Sequence, residues 1–145
     1  SPKPTPVVVK VGEQAQVDNW QFRVTEIQWH KALHFLGNAD VAEGIWCVLF
    51  LDIENQDSEP ALFGNLWWQL HGAGEQVFDD DSGTFSAVWQ FEGRDTPWDE
   101  VHPGGAAQIV MAFEVAESAQ GLTLHSDRLN RTFVLMGDAQ PPQDQ

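Results

Sequence analysis

The run Ile45-Trp-Cys-Val-Leu-Phe-Leu-Asp-Ile-Glu-Asn55 constrains the fold more than any other segment. Read with the two-residue period of a strand, one face carries Ile45, Cys47, Leu49, Leu51 and Ile53. The other is apolar at Trp46, Val48 and Phe50 before turning acidic at Asp52 and Glu54. A strand that is apolar on both faces for half its length belongs at the centre of its sheet. Turn chemistry then ends it, in Asn55-Gln-Asp-Ser-Glu-Pro60.

Other segments repeat the period. Trp20, Phe22 and Val24 alternate with Gln21, Arg23 and Thr25, and Leu66, Trp68 and Leu70 with Trp67, Gln69 and His71. The second of these runs through the turn Gly72-Ala-Gly-Glu75 into Gln76 to Phe78, which predicts a hairpin. Pro103-Gly-Gly105 announces a further strand with Ala107, Ile109, Met111, Phe113 and Val115 on one face, and short strands are expected over Gly121 to His125 and Thr132 to Met136. The sum is about seven to nine strands at the turn spacing of an all-β antiparallel sandwich. No long helical pattern alternates with them, which argues against a parallel α/β sheet. Two stretches resist the pattern: residues 29 to 44, read as a long connection with room for one helical turn, and Thr84 to Val101, read as an irregular aromatic loop. Long connections in compact domains often carry function.

At 145 residues the chain fits one domain, and seven Trp and nine Phe give it ample material for a core. The expected boundaries are a Pro-rich leader at 1–6, the sandwich at 7–137 and a polar tail at 138–145. A formal net charge of -15 repels phosphate backbones and anionic lipid, so nucleic acid is excluded as a partner. No apolar stretch is long enough for a transmembrane segment. Cys47 is the one cysteine; it falls inside the apolar run and reads as an inert core thiol.

The order of these features resembles a known family. Val11-Gly-Glu13 precedes the first strands, the central strand ends at Asn55 with Ser58-Glu-Pro60 behind it, Leu70 to Phe78 form the hairpin, and Pro103-Gly104 leads to Ile109 to Val115. This arrangement, over roughly residues 7 to 136, resembles bacterial extracellular lipoprotein domains of unknown function. Those domains are grouped with mycobacterial immunoprotective extracellular antigens and often mistitled telomeric repeat-binding factors. The resemblance implies an immunoglobulin-like β-sandwich and an exported, extracellular or cell-surface location, and carries over no catalytic residue. The sequence opens at Ser1 with no lipidated cysteine ahead of the domain, so the expectation is either an anchor lost with a removed segment or a member secreted free.

Candidate sites follow from the residues themselves. Asp79, Asp80 and Asp81 stand beside Gly83 and offer oxygen ligands to calcium, although the spacing is not that of an EF-hand. His30 and His34 have zinc-binding spacing only if their segment is helical. Ser82, Ser86 and Ser126 lack a nucleophile-elbow context, so no enzyme is expected and no cofactor beyond the candidate calcium. Trp89, Phe91 and Trp98 form a candidate platform for a sugar or a protein, and of the neighbours Trp67 and Trp68 one must face away from the other. Asn130-Arg-Thr132 matches a glycosylation sequon. The β-branched Val7, Val8, Val9 and Val11 either form the first strand of their own sandwich or pair with a sheet edge of another copy, which would build a filament. The expected function is a structural or interaction module, self-assembling through its N-terminal strand, or alternatively a ligand-binding domain using the aromatic loop.

Overall fold

In the computed structural model the described residues are 6–64, 67–80, 83–126, 128, 131–136 and 139–142. Among these residues eleven strands and one α-helix follow in order, with a 3-10 turn at Ala73–Glu75: β1 Val7–Lys10, β2 Gln14–Val17, β3 Trp20–Phe35, β4 Asn38–Asn55, β5 Ala61–Leu62, β6 Trp68–His71, β7 Val77–Phe78, α1 Gly83–Gln90, β8 Glu100–Val101, β9 Ala106–Val115, β10 Thr123–Ser126 and β11 Arg131–Met136. One sheet has the order β2-β3-β4-β9 and the other β1-β11-β10-β6-β7, with β5 and β8 as a separate pair. The pairings are antiparallel except that of β1 with β11. The chain is an immunoglobulin-like β-sandwich.

The two-faced strand is interior, as its composition requires: β4 lies between β3 and β9. Cys47, Leu49, Leu51 and Ile53 face the main core, where they meet Ile109, Met111 and Phe113 of β9 and Leu70, Leu124 and Phe133 of the other sheet. An aromatic group fills the middle. Phe63 stacks on Trp68 with centroids 4.9 Å apart and planes 8° apart, and Phe22 meets Phe133 edge-on at 5.3 Å. Such pairs add to plain area burial.

The opposite face of β4 has a core of its own, in which Trp46, Val48 and Phe50 pack with Leu33, Val110 and Ala112 beneath Ala87, Val88 and Phe91. Its cover is α1, so Thr84 to Val101 is not the irregular loop expected from sequence: it begins with a two-turn helix. The helix starts on Asp80, whose Oδ1 accepts the Thr84 N–H at 2.8 Å while its carbonyl accepts that of Gly83, also at 2.8 Å. Gly83 is required there, because a Cβ would stand 2.7 Å from the Ala112 carbonyl oxygen and 2.6 Å from the Trp46 ring. The helix also satisfies strand groups outside the ladders. Thr84 Oγ1 accepts the Ala112 N–H of β9 at 3.0 Å, and Gln90 Oε1 accepts the His34 N–H of β3 at 2.7 Å. Asp95 pairs with the same outer edge of β9, donating its N–H to the Gln108 carbonyl and accepting the Gln108 N–H on Oδ2.

Residues 29–44 are likewise not a connection. β3 and β4 pair continuously from Trp20↔Asn55 to Phe35↔Asn38, with irregularities between Val24 and Glu26 and between His30 and Ala32. At the first Thr25 is an extra residue in β3, and at the second Lys31 stands alone against residues 42–45 of β4; the facing of β3 changes at both, so Trp20, Phe22, Val24, Ile27 and Trp29 face the main core while Leu33 faces α1. β9 reaches only Ile45 of β4, and β2 only Trp20 to Arg23 of β3. Beyond them the hairpin runs on as a two-stranded ribbon with α1 against one face.

Val7, Val8 and Val9 of the N-terminal run form β1 on the chain's own β11, with Val9 buried, and Val11 packs at the margin of the main core. Of the expected tail, Ala139 lies in the main core and Pro141 is buried, so the packed structure extends past residue 137.

Removing the helix cap by Asp80→Ala should lower the urea midpoint with an unchanged slope, a loss of about 1 kcal/mol. Asp79→Ala should stay within about 0.5 kcal/mol. Equal effects would show that α1 is not held by its cap.

Candidate functional site

The ribbon ends in the two-residue loop Leu36-Gly37, closed by the Phe35↔Asn38 pair. Both residues have positive φ, 47° and 80°. This is the type I′ arrangement, whose first position favours Asn, Asp or Gly. Leucine there costs about 1–2 kcal/mol of backbone strain. Its side chain recovers little from burial, being 71% exposed.

The tip continues into an apolar surface on α1. Phe35 meets Phe85 edge-on at 5.7 Å, and Phe85 meets Trp89 at 6.5 Å. Phe85 is 50% exposed and Trp89 45%. The helix is clamped to the ribbon by the Ser86 hydroxyl, which donates to Asp40 Oδ2 at 3.0 Å, and by the Gln90 to His34 bond. Trp46 Nε1 donates to the Asp40 carbonyl at 2.8 Å and fixes the same stretch of β4 from the core side. The surface therefore rests on two elements joined by side-chain bonds, a firmer base than a loop gives.

Of the three aromatic residues singled out from sequence, only Trp89 lies on this surface. Phe91 is half-buried, edge-on to Phe50 at 5.0 Å and against His30 at 5.6 Å, and serves the second core. Trp98 is 41% exposed but follows Pro97, whose carbonyl accepts the Gly64 N–H at 2.9 Å, beside the β5–β8 pair. The sequence reading missed Phe35, Leu36 and Phe85. The available signal was the buried spacing Thr84, Ala87, Val88 and Phe91, a helical period that turns Phe85 and Trp89 outward.

The acidic and histidine candidates have other duties. Asp80 is buried as the helix cap, Asp79 accepts the Gln69 amide at 2.7 Å, and Asp81 lies outside the described residues. His30 and His34 stand on a strand rather than a helical turn, and His30 Nε2 lies 2.8 Å from Gln28 Oε1. Among the described residues no three His, Cys, Asp or Glu side chains are grouped to hold a metal ion. Burial, with a smaller contribution from His34, lowers the His30 pKa below its ordinary value.

Cys47 is buried and burial pushes its thiol far up, away from thiolate chemistry. Ser86 and Ser126 are buried, and Ser82 lies outside the described residues, as does Asn130 of the sequon. Trp68 is a core residue, whereas Trp67 is half-buried with the Arg128 guanidinium 4.2 Å from its ring centroid, so neither is a bare platform. His71 and His125 meet on neighbouring strands with ring centroids 4.6 Å apart.

No protein-family model matches the chain. Nor does any curated protein. Solved structures do. A conserved hypothetical protein from Bacillus anthracis is similar with a TM-score of 0.63 at 12% identity, over 83% of this chain and 90% of that one. The secreted protein MPT63 of Mycobacterium tuberculosis aligns with a TM-score of 0.59 at 12% identity, over 95% and 98% of the two chains. A putative lipoprotein of Bacillus subtilis aligns at 0.52 and 10% identity, over 78% of this chain and 32% of its own length. At such identities the likeness shows the fold. It agrees with the grouping that the sequence resembles.

Two outcomes follow from the geometry. Leu36→Asn should raise stability by roughly 1 kcal/mol in urea denaturation, since it suits the turn and gives up no buried surface; a loss would contradict the strained turn. The lowered His30 pKa means that the unfolded chain binds its proton first as pH falls. Its stabilising contribution is complete above the ordinary value of 6.5 and disappears as pH drops through the lower folded value. From about pH 7.5 to about pH 5, wild type should lose more stability than His30→Gln; parallel curves would contradict this.

Proposed function

We propose that the chain is a non-enzymatic extracellular module that recognises another protein through the β3–β4 tip and the outer side of α1. The observation that carries this reading is Leu36, an exposed leucine held in a strained turn and continuous with Phe35, Phe85 and Trp89. Strain and exposed apolar area both cost free energy in the isolated chain, and a partner that covers the tip recovers the second. The secreted and lipoprotein proteins of like fold, together with the acidic surface, support an exported location.

A protein fits this surface better than a sugar. Sugar recognition pairs a flat exposed ring with hydrogen-bonding groups beside it. Here Phe85 lies between the rings of Phe35 and Trp89, and beside them the Ser86 hydroxyl already donates to Asp40 while Gln90 Oε1 already accepts the His34 N–H. Filament growth by donation of Val7, Val8, Val9 and Val11 would require β1 to leave β11 and Val9 to leave the core. Edge addition of a second copy outside β1, where Val8 is exposed, is the remaining assembly route.

The immobilised chain, challenged with envelope and secreted proteins of the producing organism, should retain a specific partner. Phe85→Ser/Trp89→Ser should abolish retention with melting unchanged, while Val8→Lys retains it. Loss on Val8→Lys alone would overturn the reading in favour of the β1 edge.

A further inference from the structure

We propose that the outer face of the β1-β11-β10-β6-β7 sheet carries a metal site, in which His71 and His125 supply imidazole nitrogens and Gln69 its side-chain oxygen to a divalent transition ion of the zinc and copper class. The site is independent of the docking surface described above.

Strand period sets the placement. On β6, Gln69 and His71 alternate with the buried Trp68 and Leu70, and on β10, Thr123 and His125 alternate with the buried Leu124 and Ser126. The four outward residues share one face and are half-buried. In the antiparallel register Gln69 stands opposite His125 and His71 opposite Thr123, so the two histidines meet on the diagonal and Gln69 neighbours both.

Each donor is oriented by a further side chain. Gln69 Nε2 donates to Asp79 Oδ1 at 2.7 Å; a carboxylate only accepts, so the amide is fixed with its oxygen toward His71 Nε2, 3.4 Å away. On the other side His125 Nδ1 lies 3.0 Å from Thr132 Oγ1, and Thr132 is the direct partner of His125 on β11. This leaves Nε2 on the side of the ring away from β11, which is the side of β6. Metal-binding histidines are held in the same way, one ring nitrogen on a polar neighbour and the other on the ion.

Two separations match a chelate. The 3.4 Å between His71 Nε2 and Gln69 Oε1 is longer than an ordinary N–H···O bond, which ends near about 3.2 Å. Two donors on a tetrahedral ion stand about 3.4 Å apart when each metal bond is about 2.0–2.1 Å. The ring centroids of His71 and His125 are 4.6 Å apart. With each ring centre about 3.2 Å from the metal, two imidazoles on one ion have centroids about 4.5–5.2 Å apart for angles from square to tetrahedral. The nitrogen donors set the class of ion: imidazole suits zinc and copper, whereas calcium and magnesium take shells of oxygen. The chain's formal charge of -15 raises the local concentration of any such cation.

The test is calorimetric titration of the full chain, first stripped with a chelator, with zinc chloride at physiological salt. One zinc per chain should bind, and calcium or magnesium at the same concentration should not compete. His71→Gln and His125→Gln should each weaken zinc about tenfold or more, and Thr132→Val, which removes only an orienting group, should weaken it measurably. His30→Gln/His34→Gln and His102→Gln should bind as the wild-type chain does. In the wild-type chain zinc should shift the imidazole nitrogen resonances of His71 and His125 alone among the five histidines, a readout that needs no substitution. Absence of zinc binding would reduce the pair to a ring contact and overturn the proposal. So would binding that survives both His71→Gln and His125→Gln, or zinc displaced by calcium. Binding lost with the histidines yet untouched by Gln69→Ala would overturn the amide oxygen as a ligand.

Discussion

The outer face of β4 is the constraint on which the rest depends. Trp46, Val48 and Phe50 are buried, yet they point away from the main core. Each contributes about 2 kcal/mol or more only if something covers it. The opposite sheet cannot, because it lies on the other side. A short helix therefore has to be laid on this face, and α1 has the shape for it: Gly83 for close approach, Ala87 over the strands, Phe91 against Phe50.

Covering that face also solves an edge problem. A four-stranded sheet has two open edges, and long β3 and β4 make them longer than in a compact sandwich. The helix lies across the sheet with Thr84 bonded to β9 at one end and Gln90 to β3 at the other, and Asp95 continues along β9. Apolar burial and satisfaction of strand N–H groups thus come from the same few residues. The ribbon gains a rigid support, and the outward residues Phe85 and Trp89 are brought beside the tip.

The elements legible in the sequence were those with unbroken alternation and ordinary turns. β4 from Ile45 onward and β9 read directly, and so did the β6–β7 hairpin. The ribbon did not, because two register irregularities between β3 and β4 change which residues of β3 face the core, and the Leu36-Gly37 turn lacks the Asn or Asp that marks such loops. The helix Gly-Thr-Phe-Ser-Ala-Val-Trp-Gln is poor in strong helix formers, and tertiary packing overrides its propensity. Asp80 looked like part of a calcium loop for the same reason: a cap is recognisable only once a helix is seen behind it. The candidate site was legible as Trp89 alone, since its other members depend on the ribbon and helix meeting.

Amide hydrogen exchange at Ala112 and His34 tests most directly whether α1 holds sheet and ribbon together. Both N–H groups lie outside the strand ladders and bond only to side chains of the helix. Exchange at both as slow as within β4, accelerated together by Asp80→Ala, is the expected result. Fast exchange at either in the wild-type chain would contradict it and would leave the tip and the helix face as separate surfaces.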